Sequence, residues 1–375
     1  MTTETANFST LAPKKGVLFL FYPVEALGVS ILFYSLDIIG FTANIVVIII
    51  ISRSPSLKTL FNYIILSLSA SDLISAIADP LFVYRRTTGS IKWILPNFVC
   101  KIQRAVENGP SVATSLHIVF LSLLRFISIQ FPHQFRKVTI KQTKVVIFAL
   151  WLIAFCGGSL PFLIWANVEQ MGPSRRICHV SYNSYDGMQL FTTVGYLFFY
   201  HIPMVLIVIF SVGIAISLRN RRKQRSKNRS TAMQSRAQTK FDPEQSRRKK
   251  ESLAIMQTFL IVGSFAFGYL PNTAFYAYTA LGPSHGDPGF SYRKRWWFAM
   301  SARICLRLSE CLNPVLYNIA SSKMRKETRI FLGSVFTRLP FVRSRCTNAQ
   351  PVTAPTTITA LTGRTTAIHA ASAKL

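Results

Sequence analysis

Long apolar stretches recur along the chain, and basic residues gather in the segments between and after them. Each stretch reaches the roughly 20 residues that an α-helix needs to cross about 30 Å of hydrocarbon. Seven are read, near residues 27–51, 60–84, 98–130, 142–166, 190–218, 252–281 and 296–320. The pattern predicts an all-α membrane protein, a seven-transmembrane helix bundle. The third stretch exceeds one bilayer and is expected to tilt or to project into the cytoplasm. The seventh is the least apolar, because Arg303, Arg307 and Glu310 lie inside it, and hydropathy alone would return six. After it, Lys323 to Leu332 alternates basic and apolar faces at helical spacing, as an amphipathic helix in the membrane interface does.

Charge settles the direction in which the chain is expected to thread. The net charge of +29 would suggest nucleic acid in a soluble chain, but here the basic residues follow the spans. Twenty-eight of those outside the spans fall on one side, thirteen of them in residues 219–251, against ten on the other. The positive-inside rule then places the N-terminus outside a plasma membrane. The organisation that follows is an extracellular segment (1–26), the bundle (27–320) with a basic third cytoplasmic loop (219–251), and a cytoplasmic amphipathic helix and tail (321–375). Like charges predict a disordered middle for that loop, basic helical extensions at both its ends, and attraction to anionic membrane lipids. The Thr- and Ala-rich composition from 347 onward cannot build a core.

Smaller signals refine this picture. Lys14 and Lys15 precede an apolar run, but Pro23 and Glu25 interrupt it, so the first span is read as a retained anchor rather than a cleaved signal. Asn7-Phe8-Ser9 is a glycosylation triplet on the outer side, whereas Asn228-Arg229-Ser230 lies inside and should be silent. Cys346 is a candidate for palmitoylation. Cys156, Cys305 and Cys311 fall within spans and read as small apolar residues. Cys100 and Cys178 lie at the outer side, where an oxidising compartment allows them to pair.

Marks occur in order along the chain, at least one in each of the seven spans. Asn44 lies in the first helix, Asp72 in the second within Leu68-Ser69-Ala70-Ser71-Asp72, and Arg125 lies 25 residues after Cys100 in the third, followed by Pro132. Trp151 and Pro161 mark the fourth, Pro203 the fifth, Phe265 and Pro271 the sixth, and Asn313-Pro314-Val315-Leu316-Tyr317 the seventh. Over roughly 290 residues the chain resembles the rhodopsin-like (class A) G-protein-coupled receptors. The resemblance implies coupling through Arg125, exposed when the sixth helix swings outward, with Tyr269, Pro271, Asn313, Pro314 and Tyr317 as activation positions. Heterotrimeric G proteins are the implied partners, with arrestin and receptor kinases acting on the threonines of the tail. On chemistry alone Arg125 also reads as a snorkelling anchor. Leu124 stands where the family has an acidic residue, Phe126 where it has tyrosine, Tyr269 where it has tryptophan and Ser211 where it has tyrosine. Leu124 cannot restrain Arg125 as a carboxylate would, which predicts a raised basal tendency to activate, with decoupling as the alternative because the acidic group can also assist activation.

Buried charge marks the candidate sites. Asp72 should face the bundle interior with Asn44 or Asn313 as partners. Glu107 occupies the position where amine receptors of the family carry a carboxylate, and Ser111 and Thr114 continue its face. Arg303, Arg307 and Glu310 share a face of the seventh helix at offsets of four and three. A buried charge needs a partner, so Glu107 with Arg303 or Arg307, above all Arg307, is the expected pair. That pair reads either as a structural bridge or as ligand contacts, with Glu107, Ser111, Tyr269, Arg303 and Arg307 forming the ligand set. The ligand is then a peptide, with a small amine as the alternative. Asp72, Thr114, Ser309, Glu310 and Asn313 are the candidate sodium site, against which stands an Arg307–Glu310 pair with no ion. No other cofactor is required.

Other classes fit less well. A transporter or channel would show related halves, and none are seen. Arg307 stands where opsins attach retinal through lysine and cannot form that Schiff base, which leaves an opsin-related receptor without its chromophore. No phosphate loop, metal cluster or nucleophile motif suggests an enzyme, and nucleic acid is not an expected partner.

Overall fold

The computed structural model describes residues 21–170, 173, 175–180, 185–232, 243–281 and 291–336. Asn7, Cys346, the threonine-rich tail and the middle of the basic loop (233–242) lie outside them. Seven long helices follow one another: α1 (Pro23–Arg53), α2 (Leu60–Arg86), α3 (Asn97–Gln130), α4 (Ile140–Trp165), α5 (Tyr185–Tyr196, Leu197–His201 and Ile202–Ala232), α6 (Pro243–Leu281) and α7 (Tyr292–Ala320). Among the described residues, α1 to α4 and residues Thr193–Arg221 of α5 are long and apolar enough to cross a membrane. Three basic residues at the start of α7, with Arg303, Arg307 and Glu310 beyond them, keep that helix below the same measure.

Burial is inverted relative to a water-soluble bundle. Phe148, Ile38, Val145 and Ile164 point outward, Phe148 with 70% of its surface free, while Asp72, Asp79, Glu107 and Arg307 are buried. Apolar side chains outside and paired polar groups inside are what a lipid solvent selects.

Local chemistry sets the helix boundaries. Pro23 opens α1 at a position whose N–H has no helical partner, and the Glu25 carboxylate accepts the Tyr22 N–H at 2.8 Å. At the start of α4, Thr139 Oγ1 accepts the Gln142 N–H and Gln142 Oε1 accepts the Thr139 N–H, a reciprocal cap. Ser291 caps α7.

Two prolines shape the middle of the fold. A π-helical turn precedes Pro161 in α4 (Phe155–Ser159), and another precedes Pro203 in α5 (Leu197–His201). Proline removes one backbone donor and crowds the carbonyl four residues earlier, and a widened turn relieves both. The carbonyl four residues before Pro203, that of Phe199, accepts Ser115 Oγ of α3 at 2.6 Å. α3 and α4 approach closely at Gly109 and Gly158: a Cβ on Gly109 would lie 2.0 Å from Ser159 Oγ, and one on Gly158 would lie 2.9 Å from the Gly109 Cα. A hydrogen-bonded chain joins α4, α2 and α3. His117 Nδ1 lies 2.6 Å from the Ala113 carbonyl, which can only accept, so the ring carries its proton there and Nε2 accepts from Ser67 at 2.9 Å. Ser67 in turn accepts the Trp151 indole N–H at 2.8 Å.

Between α4 and α5 lies an antiparallel hairpin, β1 (Ala166–Gln170) with β2 (Arg176–Val180), in which Val168 faces Cys178. The disulfide Cys100–Cys178, with Cα atoms 5.6 Å apart, ties β2 to the first turn of α3 and marks one end of the bundle. Trp93, fully buried, packs beside it.

The last helix, α8 (Ser322–Phe336), begins against the opposite end. Thr328 Oγ1 donates to Asn318 Oδ1 at 2.7 Å, and Ser56 in the α1–α2 connection donates to Glu327 at 3.2 Å. α8 ends at Phe336, the last described residue.

Candidate functional site

A cleft opens toward the disulfide end of the bundle. Counting the part open to solvent, it encloses about 390 Å³. α2 supplies Phe82 and Arg86, α3 Glu107, Asn108 and Ser111, and α5 Tyr196 and Tyr200. α6 supplies Asn272, Phe275 and Tyr276, and α7 supplies Ala299 and Arg303. Tyr196 and Tyr276 have ring centroids 3.9 Å apart, and Tyr200 stacks on Tyr269 at 5.4 Å. Of the ligand residues expected from sequence, Glu107, Ser111 and Arg303 line the cleft. Tyr269 and Arg307 do not. Tyr269 is buried and donates its hydroxyl to the Ser111 carbonyl at 3.1 Å, tying α6 to α3.

The charge pairing differs from the sequence expectation. Glu107 does not meet Arg307. One of its oxygens takes Arg85 at 2.8 Å, Arg104 at 3.0 Å and Gln103 Nε2 at 3.0 Å. Arg303 and Arg307 instead share Asp79: Oδ1 accepts Arg303 Nη2 at 2.7 Å, and Oδ2 accepts Arg307 Nε at 2.6 Å. Arg307 also donates to the Ser75 carbonyl at 2.7 Å and pairs with Glu310 one turn along, and its Nε lies 3.4 Å from Asp37 of α1. The reason is geometric. Asp79 and Asp37 lie on the neighbouring helices and reach the arginines first, while Arg85 at the end of α2 and Arg104 on α3 itself reach Glu107. Sequence reasoning passed over Asp37, Asp79, Arg85, Arg86 and Arg104. A signal existed: Asp79 follows Asp72 by seven residues and Asp37 precedes Asn44 by seven, which puts each on the same helix face as a residue already singled out.

Below this network lies the candidate sodium set. Asp72 Oδ2 accepts Asn313 Nδ2 at 3.0 Å, and Thr114 Oγ1 lies 3.5 Å from Asp72 Oδ1. Asn44 is not a partner, since its amide donates to the Gly40 carbonyl of its own helix at 3.0 Å. Glu310 is turned to Arg307, the expected ion-free alternative. Ser309 is engaged with Ser264 of α6, donating to its carbonyl at 2.7 Å. Only Asp72, Thr114 and Asn313 of the five are therefore brought together.

Toward the other end, Arg125 presents its guanidinium 3.6 Å from the centroid of the Phe61 ring on α2, and Phe61 stacks on Phe135 at 5.6 Å. Phe126 packs on Phe210, and a Cβ on Gly213 would come within 2.6 Å of the Phe126 ring, so α5 can approach α3 only with glycine there. Tyr317 is fully buried.

Similarity to known proteins adds a family. The model of the 7 transmembrane receptor (rhodopsin family) matches residues 43–317. The chain belongs to that family. Growth hormone secretagogue receptor type 1 of Sus scrofa is 25% identical over 314 residues, 82% of this chain and 81% of that receptor. The motilin receptor of Homo sapiens is 30% identical over 151 residues, 40% of this chain and 36% of the relative. A dopamine D2-like receptor of Drosophila melanogaster is 30% identical over 201 residues, 53% of this chain and 21% of the relative. The membrane bundle, the receptor class and the disulfide read from sequence stand on these observations. The matched relatives are receptors and not enzymes.

Proposed function

We propose that this rhodopsin-family member is a plasma-membrane receptor, its N-terminus outside, which binds a peptide in the cleft and activates heterotrimeric G proteins at the Arg125 end. The observation that carries the reading is the pairing of the two ends in one bundle. A polar, aromatic-walled cleft lies toward the disulfide end, and Arg125 stands on the same helix as Glu107, 18 residues further on. A ligand that shifts α3 at the cleft moves the helix that also carries Arg125.

Two features favour a peptide over a small amine. The match that spans most of the chain is to receptors named for growth hormone secretagogues, and a shorter one is to the motilin receptor. Glu107, the carboxylate an amine would need, is already neutralised by two arginines. The deciding experiment expresses the receptor with a proximal nucleotide-exchange readout and screens a peptide library against an amine library. Response to amines alone removes the peptide reading, and binding without exchange removes the coupling.

The remaining assignments are proposals of the same kind. Asn7 is the glycosylation site and Cys346 the palmitoylation site, and tail threonines are the substrate for receptor kinases and arrestin. Basic segments meet anionic lipid. A sodium ion is proposed for Asp72, Thr114 and Asn313 without Glu310, and sodium-dependent agonist affinity lost in Asp72→Asn is its test. An N-terminal epitope stained on intact cells tests the orientation.

A further inference from the structure

The cleft holds more positive charge than its own carboxylates match. Three guanidinium groups surround the ring of Phe82: those of Arg85 and Arg86 lie 5.6 Å from its centroid and that of Arg303 lies 4.8 Å away. Arg303 is matched by Asp79 and Arg85 by Glu107. Glu107, however, is shared with Arg104. One carboxylate therefore serves the arginines of α2 and α3, and Arg86 has no ion pair among the described residues. Its backbone is fixed all the same, because the Trp296 indole of α7 donates to the Arg86 carbonyl at 2.8 Å. Arg86 is thus a positioned cation in the wall of the cleft, with the Phe82 ring against it and Glu107 acting on it only beyond ion-pair distance.

A half-buried guanidinium without an anion is unfavourable, and its planar fork fits a carboxylate through two parallel hydrogen bonds. Across the cleft, Tyr276 and Phe275 offer aromatic surface, and Asn272 a neutral polar group. An ammonium placed here meets a carboxylate already paired twice and an arginine not paired at all. We infer that Arg86 anchors a carboxylate of the ligand, whose aromatic or apolar body rests on Tyr276 and Phe275. This deepens the peptide-receptor reading and rests on it for the role of the cleft. A peptide can present such a carboxylate at its C-terminus or on an acidic side chain.

The test uses the full chain, purified in detergent, and thermal unfolding with four probes. N-acetyl-phenylalanine carries a terminal carboxylate and N-acetyl-aspartyl-phenylalanine amide a side-chain one. N-acetyl-phenylalanine amide is neutral, and phenethylamine is cationic. At least one of the acids is expected to raise the unfolding midpoint with dose while the neutral amide and the amine do not, and whichever acid succeeds identifies the source of the carboxylate. Arg86→Gln is expected to weaken that acid by about tenfold or more, and Arg86→Lys, which keeps the charge without the fork, by less. The unliganded midpoints show that each variant is folded, and the acid-against-amide comparison on the unaltered chain decides the matter even where one is not. Equal stabilisation by amide and acid, a larger effect of the amine, no shift with either acid, or an undiminished shift in folded Arg86→Gln would each overturn the inference. Failure of the receptor reading is seen separately, as carboxylate binding that persists in a protein with no stimulated nucleotide exchange.

Discussion

Arg307 and Arg125 are both cations within the bundle, one toward each end, and they are held by different chemistry. Around Arg307 lie Asp79, Asp37 and Glu310, so charge is matched by charge drawn from α1, α2 and α7. Around Arg125 the family's adjacent carboxylate is replaced by Leu124, and the guanidinium lies over the face of Phe61. The difference teaches how firmly each end is set. A desolvated ion pair that loses one member strands the other in a medium that cannot solvate it, whereas a cation over an aromatic ring can leave for water or lipid phosphate at small cost. Breaking one member of the Arg307 cluster is therefore expected to cost more than removing the ring from under Arg125.

The largest expected effect comes from breaking the charged end. Asp79→Asn leaves Arg303 and Arg307 with too little negative charge and should cost roughly 3 to 5 kcal/mol, seen as loss of surface delivery and a lower unfolding midpoint. A variant that matches the unaltered protein in both would show that the cluster does not hold α7 to α2. Next is Cys178→Ser, expected to cost about 2 to 5 kcal/mol by freeing β2 from α3, with the same two readouts. Gly158→Val tests the close approach of α3 and α4. Its side chain meets the Gly109 backbone, and a loss of about 1 to 3 kcal/mol is expected from overpacking.

The smallest effect in energy is the most informative about signalling. Phe61→Leu removes the ring beneath Arg125, a contact worth about 0.5 to 2 kcal/mol, and should leave the unfolding midpoint nearly unchanged while raising ligand-free nucleotide exchange. Phe61→Trp should lower that exchange. Equal basal output in all three proteins would mean that Phe61 is packing alone and that Arg125 is restrained by other groups. Under this reading the raised basal tendency expected from Leu124 is moderated, because Phe61 takes part of the carboxylate's place.

The spans were legible in the chain because lipid demands an unbroken apolar run wherever a helix crosses, and a run is a local property. The helical extensions into the basic loop and the helix after Tyr317 were legible for a related reason, since amphipathic spacing is visible within one segment. Trp151, Asp72 and Asn313 were recognised one by one, and the structure shows two of them in contact. Pairings across helices were a different matter. Glu107 and Arg307 looked complementary because a buried charge needs an opposite one, but such a charge takes the nearest one in space, here Arg85 and Arg104 for Glu107 and Asp79 for Arg307. Sequence spacing does not report whether α2 or α7 stands beside α3 at that depth.

The sequence by itself determined that this protein is a membrane bundle of the rhodopsin family, with a disulfide at one end and an arginine of the third helix toward the other. Those properties follow from composition and order along single helices. Tertiary structure alone decided that Asp79 serves two arginines, that Glu107 serves two others, that Phe61 lies under Arg125 and that Arg86 faces the cleft without an ion-pair partner among the described residues. These outcomes depend on the rotation and depth of helices far apart in the chain. Electrostatic attraction in a low-dielectric interior rises steeply at close approach, so a few ångströms of placement choose the partner.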